Sequence, residues 1–167
     1  MVVVPSSGTA TVTLPTDEEI LITREFDAPK HLVYEAWTTP ELVMRWWSGN
    51  QGEMTTAEID LRVGGRWRYV MVVEGGHEVA FSGEYREIVP DERIVNTEVF
   101  EVPDAEGPPG EPPLNIVTFT EVDGRTTLSL LVRCESKELR DAIIDSGMEV
   151  GMQEQMDLLE QVAISLG

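Results

Sequence analysis

Aromatic and sulfur-bearing side chains recur in this sequence where a sheet face and a helix stripe would bring them together. Trp67, Tyr69, Phe81, Tyr85 and Phe119 fall on one face of β-rich segments, and Met148, Met152 and Met156 repeat at helical spacing near the C-terminal end. Facing one another across a gap, they would line an apolar cavity. Methionine is a flexible, polarizable liner that adapts to varied ligands, and such cavities typically hold about 300–1,000 Å³. The alternative is a filled core, because stripes of this composition also simply pack. The Trp46-Trp47 pair would close one end, as a lid or as a plug.

The candidates for proton transfer are Tyr85 and Glu58. A buried Tyr85 hydroxyl needs a partner, which could be a ligand carbonyl or a backbone group. Glu58, Asp60, Arg62 and Arg66 could form an acid–base or anion-binding set, or a salt-bridged turn bracing the Gly64-Gly65 corner. His31 and His77 are far apart and outside any ligand-spaced cluster, so no metal is expected. Ser48, Ser82 and Ser146 lack an evident base, and Cys134 has only Arg133 as a basic neighbour, so no nucleophile is flagged. No cofactor is expected either.

The bulk composition narrows the partner classes. The 167 residues suit one domain with its own core, 17–167, preceded by an arm or edge strand at 1–16. Thirty-one acidic against 12 basic side chains give a net charge of -19. That field repels phosphate backbones and anionic lipid, so neither nucleic acid nor a membrane is an expected partner. A small hydrophobic ligand is the expected partner, and a homodimer stays open. One cysteine excludes an internal disulfide. No apolar run approaches the roughly 18 residues of a membrane helix, and the start lacks a signal-peptide pattern. A cytoplasmic setting is expected.

Elements must position these residues. Ile20 to Phe26 alternates as a first strand, with Ile20, Ile22 and Arg24 on one side. Asp27 reads as an N-cap with Pro29 in the first turn. Two short helices follow, one through Leu32, Val33, Ala36 and Trp37, the next from Pro40 to Trp47. Strands are predicted at 54–60, 66–74, 78–88, 93–101, 115–122 and 125–134. Asp123-Gly124 suits a two-residue type I′ turn, setting Phe119 against Leu128 and Val117 against Leu130. Around Gly75-Gly76, a loop of residues 75–77 would pair Met71 with Phe81, Tyr69 with Gly83 and Trp67 with Tyr85, keeping the aromatics on one face. The Pro- and Gly-rich stretch 101–113 reads as a mobile flap. Ser136 caps a helix over 137–145, and Met148 to Leu166 forms a last helix of roughly 28 Å. The fold class is α+β: a curved antiparallel sheet of six or seven strands wrapped around a long C-terminal helix.

This order resembles the START-like, or SRPBCC, superfamily with its helix-grip fold. Arg24-Glu25-Phe26-Asp27-Ala28-Pro29, the run Val33 to Pro40 and Trp46-Trp47 look like the N-terminal signature of the heat-shock-protein-90 ATPase activator homologue family. So do Asp60-x-Arg62-x-Gly64-Gly65-x-Trp67, Gly83-x-Tyr85 with Pro90 and Arg93 following, and Gly147-Met148-Glu149-x-Gly151. The resemblance spans 18–166. It implies a ligand-binding module whose lining residues are Trp37, Trp46, Trp67, Tyr69, Phe81, Tyr85, Phe119, Met148, Met152 and Met156. A cyclase- or aromatase-type enzyme using the same cavity is the alternative it implies. A co-chaperone-like interaction module is the second, and nothing beyond the family name points to a chaperone partner.

Overall fold

The computed structural model describes residues 10–49, 52–101, 112–146 and 148–167. In chain order these form β1 (Thr11–Thr13), β2 (Glu19–Phe26), α1 (Lys30–Thr38), α2 (Pro40–Trp46), β3 (Gly52–Ile59), β4 (Arg66–Val73), β5 (Glu78–Val89), β6 (Arg93–Thr97), β7 (Val99–Glu101), β8 (Leu114–Val122), β9 (Arg125–Arg133), α3 (Lys137–Asp145) and α4 (Met148–Ser165). The strands make one antiparallel sheet in the order β1-β2-β9-β8-β6-β5-β4-β3, with β7 on β5. The early helices and α4 lie together, with α4 packed along α1, α2 and α3.

Alternation dictates which side of the sheet is buried. Ile20, Ile22 and Arg24 of β2 are all buried, as the period of two requires. The Asp123-Gly124 turn has positive φ at both residues, 52° and 77°, the type I′ signature. Val122 therefore faces Arg125, Phe119 faces Leu128 and Val117 faces Leu130, as the pattern requires.

Four expectations are corrected. The loop between β4 and β5 is three residues long but starts one residue earlier, because Val73 N–H donates to the His77 carbonyl. The register becomes Trp67 opposite Gly83, Tyr69 opposite Phe81 and Met71 opposite Val79. The slip is two residues, so the faces survive, and Trp67 rather than Tyr69 covers the bare glycine. The stretch 93–101 is two strands, since Glu98 leaves the ladder and its N–H donates to the Pro113 carbonyl. That break, with β1, brings the count to nine strands. Pro29, not Asp27, occupies the N-cap of α1, and Asp27 instead meets Arg125 at 3.5 Å. The expected flap lies almost wholly in 102–111, outside the described residues, as do positions 1–9 of the N-terminal arm.

Two ties hold α4. Ser136 does cap α3, accepting from Leu139 N–H, so α4 follows a defined corner. Buried Arg24 Nη2 donates to buried Glu160 at 3.0 Å, and Glu160 Oε2 accepts from Asp27 N–H at 2.8 Å. At the other end, Gln153 and Ala10 exchange two hydrogen bonds, fastening the chain just before β1 to α4.

Candidate functional site

Along α4 the apolar stripe divides. Leu159, Val162 and Ala163 are buried in the core, whereas Met148, Gly151, Met152, Gln155 and Met156 front a cavity of about 540 Å³. The opposite wall is the inner sheet face: Ile22, Leu130 and Val132 at one side, Trp67, Tyr69, Met71, Phe81 and Tyr85 at the other. Met152 and Met156 belong to both, buried in the core cluster and bordering the cavity.

Nine of the ten predicted lining residues border this space: Trp37, Trp46, Trp67, Tyr69, Phe81, Tyr85, Met148, Met152 and Met156. Phe119 does not. It sits behind the wall, edge-on to Trp37 at 6.2 Å and to Tyr34 at 5.6 Å. Glu58 is exposed on β3 opposite Arg68 and is not among the residues lining the cavity. Asp60 and Arg62 form an exposed pair at 2.9 Å in the Gly64-Gly65 corner, the bracing role rather than an anion site. His31 and His77 are exposed, and no metal-ligand cluster exists among the described residues.

The Trp pair does two jobs. Trp46 is buried against Trp37, and its Nε1–H donates to the Ala36 carbonyl at 2.9 Å, so it is a plug. Trp47 is half-buried, edge-on to Tyr69 at 5.1 Å and to Phe81 at 4.7 Å, and its carbonyl accepts from Gln155 Nε2. It belongs to the cavity wall. Phe100, 48% exposed and 5.0 Å from Phe81, lines the cavity where it meets solvent.

Sequence reasoning missed the polar strip. Tyr85, Asn96, Asn115 and Val132 are successive partners across β5, β6, β8 and β9, so the two buried asparagines face the cavity side by side. Asn96 Nδ2 donates to the Thr97 carbonyl at 3.0 Å and Asn115 Nδ2 to Glu98 Oε1 at 3.1 Å. Asparagine is depleted in strands, and Ile-Val-Asn-Thr and Leu-Asn-Ile-Val stand out on that ground. Glu98 could not have been found so, because it lines the cavity only through the break between β6 and β7.

Electrostatics follow from burial. Desolvation, then Tyr85 and Glu98, raise the Tyr69 hydroxyl well above the usual tyrosine value. Desolvation, then Tyr34 and Asp60, raise Tyr85. Both stay protonated at neutral pH, and neither hydroxyl has a hydrogen-bond partner among the described residues. Burial also raises the Glu98 carboxyl, partly opposed by the Asn115 hydrogen bond. Burial pushes the Cys134 thiol up, and Cys134 is not among the residues lining the cavity.

The family model for Activator of Hsp90 ATPase homolog 1-like protein matches residues 27–163, most of the chain. The chain belongs to that family. Among curated proteins, none matches this sequence. Solved structures share the fold of this Activator of Hsp90 ATPase homolog 1-like chain. A crystal structure from Rhodobacter sphaeroides is 23% identical with a TM-score of 0.84, covering 95% of this chain and 99% of its own. One from Mycobacterium smegmatis is 23% identical with a TM-score of 0.82, covering 96% and 100%. A Chromobacterium violaceum protein is 26% identical with a TM-score of 0.75, covering 89% and 98%. No helix among the described residues is long and apolar enough to cross a membrane.

Proposed function

We propose that the protein binds one small apolar or aromatic molecule between its sheet and α4, without turning it over. The supporting observation is the cavity of about 540 Å³, walled by aromatic and methionine side chains, with a short polar strip to orient the occupant. Affinity would come from apolar burial, roughly 25 cal/mol per Å². Tyr69, Tyr85 and the asparagine pair would supply the orienting hydrogen bonds.

A neutral aromatic probe such as naphthylmethanol tests the reading by thermal unfolding. At about 100 times Kd the probe adds about 2.7 kcal/mol, a rise in Tm of roughly 5–10 °C for a domain of this size. Met152→Trp fills the space, so it should abolish the rise while leaving the far-UV spectrum unchanged. A rise that persists in Met152→Trp would place the probe elsewhere and defeat the reading. Native mass spectrometry of freshly purified protein then identifies any co-purifying occupant.

The enzymatic alternative has one observation in its favour: a protonated Tyr85 and the Glu98 carboxyl share the cavity. Proton transfer to a reactive polyketide-like chain is the chemistry they would support. Turnover that is lost in Tyr85→Phe is the result that would favour it.

A further inference from the structure

The described lining of the cavity contains one carboxylate and no cation. Glu98 is there, and none of the chain's 12 lysines and arginines, nor either histidine, is. The adjoining stretch 102–111, Val-Pro-Asp-Ala-Glu-Gly-Pro-Pro-Gly-Glu, has no basic residue to bring. Glu98 Oε1 accepts from Asn115 Nδ2 at 3.1 Å, and this is the one side-chain hydrogen bond of Glu98 among the described residues. It shares the cavity lining with Trp47, Trp67 and Tyr69. Tyr69 is close enough to interact with it electrostatically, and Trp67 and Trp47 flank Tyr69 at 4.7 and 5.1 Å.

We infer that the occupant is a lipophilic amine, an aromatic or apolar body carrying one ammonium group that pairs with Glu98 among the rings of Trp47, Trp67 and Tyr69. This rests on the ligand-binding reading and specifies its chemical class. The ammonium meets a carboxylate oxygen and the negative faces of aromatic rings, both of which favour a cation. A carboxylate-bearing ligand would instead bring a second negative charge into a low-dielectric space with nothing to neutralise either one. A neutral alcohol would satisfy the hydrogen bond and leave the charge of Glu98 uncompensated. Burial that raises the Glu98 carboxyl is consistent with a site made without its own cation. The net charge of -19 further concentrates cations around the protein.

Isothermal titration with naphthylmethylamine, naphthylmethanol and naphthoate tests this, because the three share a body and differ in charge. The wild type should bind the amine about tenfold tighter than the alcohol, a gap of about 1.4 kcal/mol, and the carboxylate weakest. Glu98→Gln keeps an acceptor for Asn115, so alcohol affinity should hold within about twofold while the amine's advantage disappears. If the wild type binds alcohol or carboxylate as tightly as amine, the amine assignment falls and the cavity remains a site for another class. The assignment falls equally if the amine's advantage survives in Glu98→Gln. If none of the three binds, the ligand-binding reading falls with it.

Discussion

A Cβ on Gly83 would lie 1.8 Å from the Thr97 carbonyl oxygen and 2.5 Å from Trp67 Nε1. Trp67 crosses the strand at this glycine so that its indole N–H can donate to that same carbonyl at 3.2 Å. Gly83→Ala should therefore cost about 2–3 kcal/mol in urea unfolding, since backbone cannot yield as a side chain can. Glu98, next to Thr97, predicts a pH effect. Its folded pKa is raised, so the protonated carboxyl favours folding, and that contribution is complete below the ordinary glutamate value. It is lost as pH rises through the raised value. Glu98→Gln should be more stable than wild type at neutral pH, with the difference vanishing in acid. Unfolding curves of the two proteins across that range check the sign.

At the scale of elements, the first half of α4 borders the cavity and its second half lies in the core, with the Arg24–Glu160 pair in the second half. Arg24 Nη1 also meets Asp157 at 3.0 Å, while its Nε has no hydrogen-bond partner among the described residues. Removing one partner of a buried pair costs about 3–5 kcal/mol because a buried charge stays behind. Arg24→Met should lose stability on that scale. Arg24→Met with Glu160→Gln should lose less than the two single changes added, since the introduced glutamine carries no charge and still accepts from Asp27 N–H. Additive losses in a denaturation cycle would show that Arg24 and Glu160 are not energetically coupled.

For the whole molecule the charge of -19 matters more than any single surface pair. Exposed pairs such as Arg86–Glu84 and Arg93–Glu87 contribute little, so self-repulsion is the larger electrostatic term. Raising ionic strength from about 0.01 M, where the Debye length is ~30 Å, to about 0.15 M, where it is ~8 Å, should raise the Tm. A Tm that falls instead would mean that the surface pairs outweigh the repulsion.

Local pattern was enough for most of the strands, the Asp123-Gly124 turn, the Ser136 cap and the face shared by Trp67, Tyr69, Met71 and Phe81, because side-chain alternation and turn backbone are set by neighbours in the chain. It was not enough for the β4–β5 register, where several loop placements keep the same face inward and only the Val73–His77 bond chooses. Nor could it assign Arg24 to Glu160, more than a hundred residues away, or bring Glu98 to the cavity through a strand break. Above all, a Met and aromatic stripe has the same spacing whether it packs or lines a void. Leu159, Val162 and Ala163 close on the core, whereas Met148, Met152 and Met156 border the cavity although Gln155 is tied to Trp47, which is a property of how rigid elements meet.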